Sequence, residues 1–227
     1  MSLSIEEYNV QENYGKIQLS NRFIRAFKPK LFEAGGFPTT VVLEAELARY
    51  IDSMHAYSFE RHYNDLCGGI TEKEFELLKK TTIDIYNMTK DMYKSDFLVK
   101  APMIASICEK RIIEAALEKT EGKRIFEIGG GSGTLGCILL EDNIQYAATD
   151  VTQAFYLIQN RLFDYITNGK INEMANQQLN EKASCVHVPY WKLWDMRNNP
   201  FHIDLAVSNH ALLEMSPNSL RFYLNFC

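Results

Sequence analysis

The stretch from Lys123 to Gly136, KRIFEIGGGSGTLG, limits the fold of this 227-residue chain more than any other. Its first part, residues 124–128, is an apolar run that predicts a short buried strand. The glycines that follow predict a sharp turn, because glycine has no Cβ and lets both backbone and ligand approach closely. The apolar segment from Leu135 onward predicts a helix. A strand, a glycine turn and a helix in this order bring backbone N–H groups and a helix N-terminus to one ligand.

The sequence changes character at this stretch. Before it, apolar residues recur at helical spacing and no segment has a convincing strand pattern. The predicted helices there cover residues 5–14, 20–27, 40–63, 71–94 and 102–119. After it, strands predicted at 124–128, 145–149, 184–188 and 203–208 alternate with helices. This alternation indicates an α/β fold with a parallel sheet and right-handed crossovers.

Two domains follow from this change of pattern. We expect a helical N-terminal region over residues 1–120, serving as a lid or a substrate-binding region, and a Rossmann-like domain over residues 121–227.

Composition narrows the class of protein. The net charge of −5 disfavours a nucleic-acid partner, because phosphate binding needs a basic face. The five cysteines form no CxxC pair, so neither a disulfide framework nor a metal site is predicted. No apolar run reaches the roughly 18 residues of a membrane span, and the N-terminus lacks the pattern of a signal peptide. We therefore expect a cytoplasmic protein with no membrane partner; a homo-oligomer is compatible with the sequence.

Two glycine signatures overlap in the central stretch. Residues 131–136 match GxGxxG, which alone is weak evidence for a dinucleotide site. Residues 127–133 match ExGxGxG, which is stronger because it places an acid, Glu127, at the end of the first strand. A P-loop is excluded, because no Gly-Lys-Ser or Gly-Lys-Thr follows the turn.

The segment FEIGGGSG resembles the first motif of the class I S-adenosylmethionine-dependent methyltransferases. The resemblance implies that Glu127 lies near the methionine ammonium group of the cofactor, S-adenosyl-L-methionine. It also implies that Asp150, at the end of the second strand, binds the ribose hydroxyls and that the adjacent Val151 belongs to the cofactor site. A carboxylate can accept both hydrogen bonds of a ribose diol. The turn that would pass under the methionine portion contains Gly129, Gly131 and Gly133.

Two further segments are similar to a family of sugar O-methyltransferases. These are ATDVTQAFYLIQNRL and DLAVSNHALLEMSPNSLRFYL, and the similarity covers roughly residues 120–227. It implies methyl transfer to the hydroxyl of a small-molecule substrate, with a sugar as one acceptor. The reaction would be an in-line displacement at the sulfonium that depends mainly on positioning.

Two residues after the fourth strand are candidates for the catalytic base. His210 and Glu214 follow a strand end that lies beside the glycine turn in an open α/β sheet. A histidine has a pKa suited to accepting a hydroxyl proton, but His210 could equally satisfy backbone groups in its loop. Glu214 could act as a base, bind a substrate hydroxyl, or be an acid at a helix N-terminus.

Other functions remain open at this stage. An NAD(P)-dependent reductase would use Asp150 equally well, but it needs a Tyr-x-x-x-Lys pair after the turn. The only such spacing is Tyr86 and Lys90, which lie before it. A non-catalytic remnant of a nucleotide-binding domain is a third class.

The aromatic group Tyr190, Trp191 and Trp194 could stack on adenine or anchor a loop to the core.

The number of strands is lower than the resemblance implies. A methyltransferase sheet of this class has seven strands, whereas residues 209–227 can form only a loop and a helix. We therefore expect a sheet that is truncated after strand 4, with the apolar strand of Leu205 and Val207 at its edge and weakened cofactor binding. A bare apolar edge of this kind invites pairing with another chain.

Overall fold

Helices precede a parallel sheet, as the change of sequence pattern predicts. The computed structural model describes residues 2–34, 39–47, 66, 69–94, 102–196, 202–209 and 211–227. Its helices are α1 (Ile5–Ile17), α2 (Asn21–Ala26), α3 (Lys30–Ala34), α4 (Glu72–Tyr93), α5 (Pro102–Leu117), α6 (Thr134–Glu141), α7 (Gln153–Ile166), α8 (Leu193–Met196), α9 (Ala211–Glu214) and α10 (Pro217–Phe226). Its strands are β1 (Arg124–Ile128), β2 (Gln145–Thr149), β3 (Asn172–Glu173), β4 (Cys185–His187) and β5 (Leu205–Val207). A 3-10 turn at Tyr190–Lys192 leads into α8.

The five strands form one sheet in the order β3-β4-β2-β1-β5, and every pair is parallel. The α/β prediction is therefore confirmed. Glu127 of β1 is in register with Ala148 of β2 and with Val207 of β5. The carboxyl ends of these three neighbouring strands consequently meet at one edge, which is where open α/β sheets bind ligands.

The helix starts follow from local side-chain chemistry. Thr71 and Glu74 form the predicted capping box at the start of α4, and Ser4 and Glu7 form another at the start of α1. The helix predicted from residue 40 is wrong at its beginning, since residues 39–43 are not helical and the described helical residues begin at 44. The remainder of that prediction, residues 48–63, lies outside the described residues.

The sheet contains one strand that the sequence pattern missed. The two polar residues of β3 lie in a segment predicted as a helix or a loop, and both are buried. At the other side, β5 pairs only with β1 among the described strands, and its residues are exposed or half-buried. The predicted fourth strand is thus an edge of the described sheet. None of the described helices has the length and apolar character needed to cross a bilayer.

Helix α7 lies at the centre of the core. Every residue from 153 to 163 is buried, including polar ones, because N-terminal segments cover the face that points away from the sheet. Three buried polar side chains of α7 hold these segments: Asn160 accepts from the Leu3 backbone N–H at 2.8 Å, Gln153 from that of Val41 at 2.7 Å, and Arg161 donates to Glu44 at 2.6 Å. The N-terminal helices and the sheet therefore contribute to one continuous core.

Candidate functional site

The glycine turn occupies the carboxyl end of β1. Gly129, Gly131 and Gly133 all have positive φ angles, of 73°, 54° and 77°, so the turn requires the left-handed conformation that favours glycine. The Gly129 N–H donates to the Thr149 carbonyl at 2.9 Å, which fastens the turn to β2. A Cβ added to Gly131 would meet no atom within 4 Å, whereas one at Gly129 would collide with the methyl of Ala211. The turn is therefore open to a ligand at Gly131 and closed by protein at Gly129.

Glu127 lies beneath this turn and is only 2% exposed. The Tyr146 hydroxyl donates a hydrogen bond to its carboxyl group. Burial raises the pKa of Glu127 to about 7, against the opposing effect of the Tyr146 hydrogen bond. The negative charge of Glu109 raises this pKa further, and a hydrogen bond from Asn209, after β5, lowers it. This buried acid therefore holds its proton more tightly than an exposed glutamate does.

Asp150, at the end of β2, is turned towards the protein. Its carboxyl accepts hydrogen bonds from the backbone N–H groups of Thr152 at 2.8 Å and Gly131 at 3.2 Å, and from the Gln159 amide at 3.2 Å. The residue is 4% exposed, and burial raises its pKa to about 6. A carboxylate offers about four acceptor positions, so three are already used and one remains for a ligand.

A chain of buried hydrogen bonds runs from Asp150 through Gln159 and His187 to Glu173. The Gln159 amide nitrogen donates to the Gly131 carbonyl at 2.7 Å as well as to Asp150, so its oxygen must face His187, at 3.2 Å. The Nε2 atom of His187 is therefore the donor in that contact. Its Nδ1 atom lies 2.8 Å from the Glu173 carboxyl, so the chain of buried hydrogen bonds continues to β3.

We expect Gln159→Leu to lower the free energy of unfolding by about 2 kcal/mol. The leucine has nearly the same volume but leaves the buried Asp150, Gly131 and His187 groups without their amide partner. Urea unfolding would measure the loss, and hydrogen exchange would show a less protected Gly131 amide. The exposed Gln178 is a matched control, because Gln178→Leu removes no side-chain hydrogen bond described here. Equal stability of Gln159→Leu and wild type would contradict the role given to this amide.

A third carboxyl group lies near the turn. Glu109 projects from α5, one helical turn beyond Ser106, whose hydroxyl is 3.2 Å from that of Thr134 at the start of α6. Glu109 is half-buried, it forms no hydrogen bond or ion pair with another described residue, and burial raises its pKa to about 7. Its charge acts on Glu127, as noted above. No pattern in the sequence distinguishes Glu109 from the other acids of α5.

These raised pKa values predict how stability depends on pH. The folded protein holds protons on Glu127, Glu109 and Asp150 more tightly than the unfolded chain does. The resulting stabilisation is complete below about pH 4, the usual range of these carboxyl groups, and is lost as pH rises through 6 to 7. For Glu127 alone the loss is on the order of 3 kcal/mol. We expect the thermal midpoint to fall between pH 5 and pH 8 and Glu127→Gln to flatten this decline.

Of the two residues predicted as the catalytic base, the structure describes only Glu214. His210 lies outside the described residues. Glu214 ends α9, is exposed, and lines an apolar cleft together with Val151 and Ala211. Val151 directly follows Asp150, so the cleft adjoins the carboxyl edge of the sheet. Of the aromatic cluster, Tyr190 and Trp191 do not offer a stacking surface, since they are almost completely buried against the N-terminal helices. Trp194 is half-buried and stacks on Phe222 of α10.

The side chains at the turn can hold a cation. Glu127 and Asp150 face the glycine turn from adjacent strands, and no lysine or arginine of the described residues forms an ion pair with either one. Among the same residues, no cluster of three or more histidine, cysteine, aspartate or glutamate side chains is placed to hold a metal ion. As far as the described residues go, a bound ligand or protons can supply the positive charge that balances these acids.

Comparisons with protein-family models, with curated proteins and with solved structures found no match. The function proposed for the chain therefore depends on its own residues and their geometry.

Proposed function

We propose that this protein is an S-adenosylmethionine-dependent methyltransferase that acts on the hydroxyl group of a small molecule. The observation that supports it is the pair of buried acids, Glu127 and Asp150, at the carboxyl ends of β1 and β2 beside a left-handed glycine turn. A ligand with an ammonium and a sulfonium group can balance the negative charge of these two acids. The pyrophosphate of NAD(P) would instead bring negative charge towards Glu127.

Each residue then has a definite part in binding. Glu127 would hold the ammonium end of S-adenosyl-L-methionine, and Gly131 would let the ligand lie against bare backbone. The one free acceptor position of Asp150 would take a ribose hydroxyl. When bound, the cofactor would supply the methyl group for transfer to the acceptor oxygen, with the electrons of the broken S–C bond left on sulfur, and a base of the chain would take the acceptor proton. Glu214 and His210 are the candidates for that base.

Thermal unfolding with added ligands tests the proposal. S-Adenosylhomocysteine at about 100 times its dissociation constant should stabilise the protein by about 2.7 kcal/mol and raise the midpoint by several degrees. NADH at the same concentration should leave the midpoint unchanged. A shift with NADH alone would favour the reductase alternative. The absence of a shift with either ligand would leave a non-catalytic module as the better explanation.

A further inference from the structure

An apolar cleft lies beside the glycine turn, between the N-terminal helices and the last two helices. Its volume is about 400 Å³, open solvent included. Phe27 comes from the end of α2, Val151 from the end of β2, and Met215 and Tyr223 from the C-terminal helices and the link between them. Its walls are almost entirely apolar, so a bound molecule would gain by burying apolar surface rather than by forming many hydrogen bonds.

The inner end of the cleft adjoins the proposed methyl-donor site. Ala211 lines the cleft, and its methyl is the group that closes on Gly129 of the turn. Val151 lines it as well and follows Asp150 directly. A molecule seated in the cleft would therefore lie next to the turn on which the cofactor is proposed to bind.

The walls of the cleft are held in place before any ligand arrives. The rings of Phe27 and Tyr223 have centroids 5.5 Å apart and planes inclined at 63°, an edge-to-face arrangement. The Ser216 hydroxyl donates to the Ala26 carbonyl at 2.9 Å, which ties the start of α10 to the end of α2. Both rings are almost completely buried, so the apolar surface left open to a ligand comes from half-buried residues such as Val151 and Met215, and the thioether of Met215 packs favourably against an aromatic ring.

Two charged groups stand at the rim. Glu214 and Lys28 both line the cleft and are exposed, and neither forms an ion pair with another described residue. The carboxylate of Glu214 can accept a hydrogen bond from a hydroxyl on a molecule whose apolar part fills the cleft.

On the basis of the proposed function, we propose that the cleft binds the methyl acceptor and that the acceptor is a single aromatic ring with a hydroxyl group. Glu214 accepts the hydroxyl hydrogen bond and takes the proton as the new O–C bond forms. A sugar fits this cleft poorly, since its several hydroxyl groups would lose water without finding partners on apolar walls.

Binding of phenol to the protein saturated with S-adenosylhomocysteine tests this inference without measuring activity. Ligand-observed NMR titration would compare phenol with anisole, which has the ring but no hydroxyl proton, and with methyl glucoside. Phenol should bind about tenfold more tightly than anisole, and the glucoside should not bind. Loss of phenol binding when S-adenosylhomocysteine is added would overturn the inference, because the cleft would then belong to the cofactor. Equal or tighter binding of the glucoside would overturn it too.

Two variants make the test specific. Glu214→Gln changes an exposed side chain, so it should fold normally and reduce the preference for phenol over anisole to about twofold or less. Met215→Trp should fill the cleft and lower phenol affinity about tenfold or more, whereas Leu224→Trp on the exposed face of α10 should not. An unchanged preference in Glu214→Gln would contradict the role of Glu214. If S-adenosylhomocysteine itself fails to bind the wild type, the proposed function fails, which is a separate result.

Discussion

Glu127→Gln is expected to weaken the binding of S-adenosylhomocysteine by roughly 30-fold or more, or about 2 kcal/mol. Glutamine keeps the volume and can still accept the Tyr146 hydrogen bond, but it removes the negative charge that would pair with the ligand ammonium group. Isothermal titration at pH 8, where Glu127 is mostly ionised, would measure the loss. The variant should also be at least as stable as the wild type at this pH, because a buried charge is removed.

This prediction has two controls, one with a different ligand and one with a different variant. 5′-Methylthioadenosine keeps the adenosine and sulfur but lacks the amino-acid part, so its affinity should be the same in wild type and Glu127→Gln. Glu118→Gln, an exposed change at the end of the helical region, should alter the affinity for neither ligand. Equal losses for the two ligands in Glu127→Gln would contradict the assignment of Glu127 to the ammonium group.

Gly136→Val is expected to lower the free energy of unfolding by about 3 kcal/mol. A Cβ at position 136 would lie 2.6–2.7 Å from the ring and hydroxyl of Tyr146, which is fully buried and cannot move aside. Without Tyr146 the substitution would stabilise α6 slightly, because valine has a better helix propensity than glycine. The sign of the change therefore tests the packing directly. Chemical denaturation would measure it.

Tyr146→Ala provides the matched comparison for Gly136→Val. If the two side chains compete for one space, the double variant should be more stable than the sum of the two single losses predicts, by 1 kcal/mol or so. Gly169→Ala, at a position with open space, should cost only about 1 kcal/mol from its positive φ angle. A stabilised Gly136→Val variant would show that Tyr146 does not pass so close to α6.

The sequence predicts those parts of the fold that are decided locally. The bounds of β1 and β2 agree with the predicted ranges because an apolar run ended by glycine or aspartate specifies a buried strand without help from distant residues. The start of α4 agrees because the Thr71–Glu74 capping box is complete within four residues. The division into helical region and sheet follows from the same local patterns.

The parts that the sequence does not predict depend on contacts between distant residues. β3 consists of Asn172 and Glu173, two polar residues that are buried only because His187, Tyr156 and Asn160 bind the Glu173 carboxyl. Gln159 interrupts the apolar pattern of its helix, and the sequence gives no reason for a polar residue there. Its hydrogen-bond partners, Gly131 and His187, are each 28 residues away in opposite directions along the chain.

The sequence predicts where the two acids Glu127 and Asp150 lie in the sheet, but not which groups they bind. Glu127 and Asp150 are brought to adjacent strand ends, as the glycine signature implies, since parallel strands align their carboxyl ends. The sequence could not show that Asp150 already accepts three hydrogen bonds, which leaves a ribose only one position. It could not show that the charge of Glu109 acts on Glu127, because the approach of these two side chains depends on how α5 packs against α6.

Isothermal titration of the wild-type protein with S-adenosylhomocysteine, at pH 8 and at pH 6, is the most direct test of a cation-binding glycine turn. We expect weakened but measurable binding at pH 8 and about tenfold weaker binding still at pH 6, because protonation of Glu127 removes the charge that attracts the ammonium group. NADH should give no binding heat at either pH. Binding of NADH without binding of S-adenosylhomocysteine would contradict the proposal, as would an affinity for S-adenosylhomocysteine that does not change with pH.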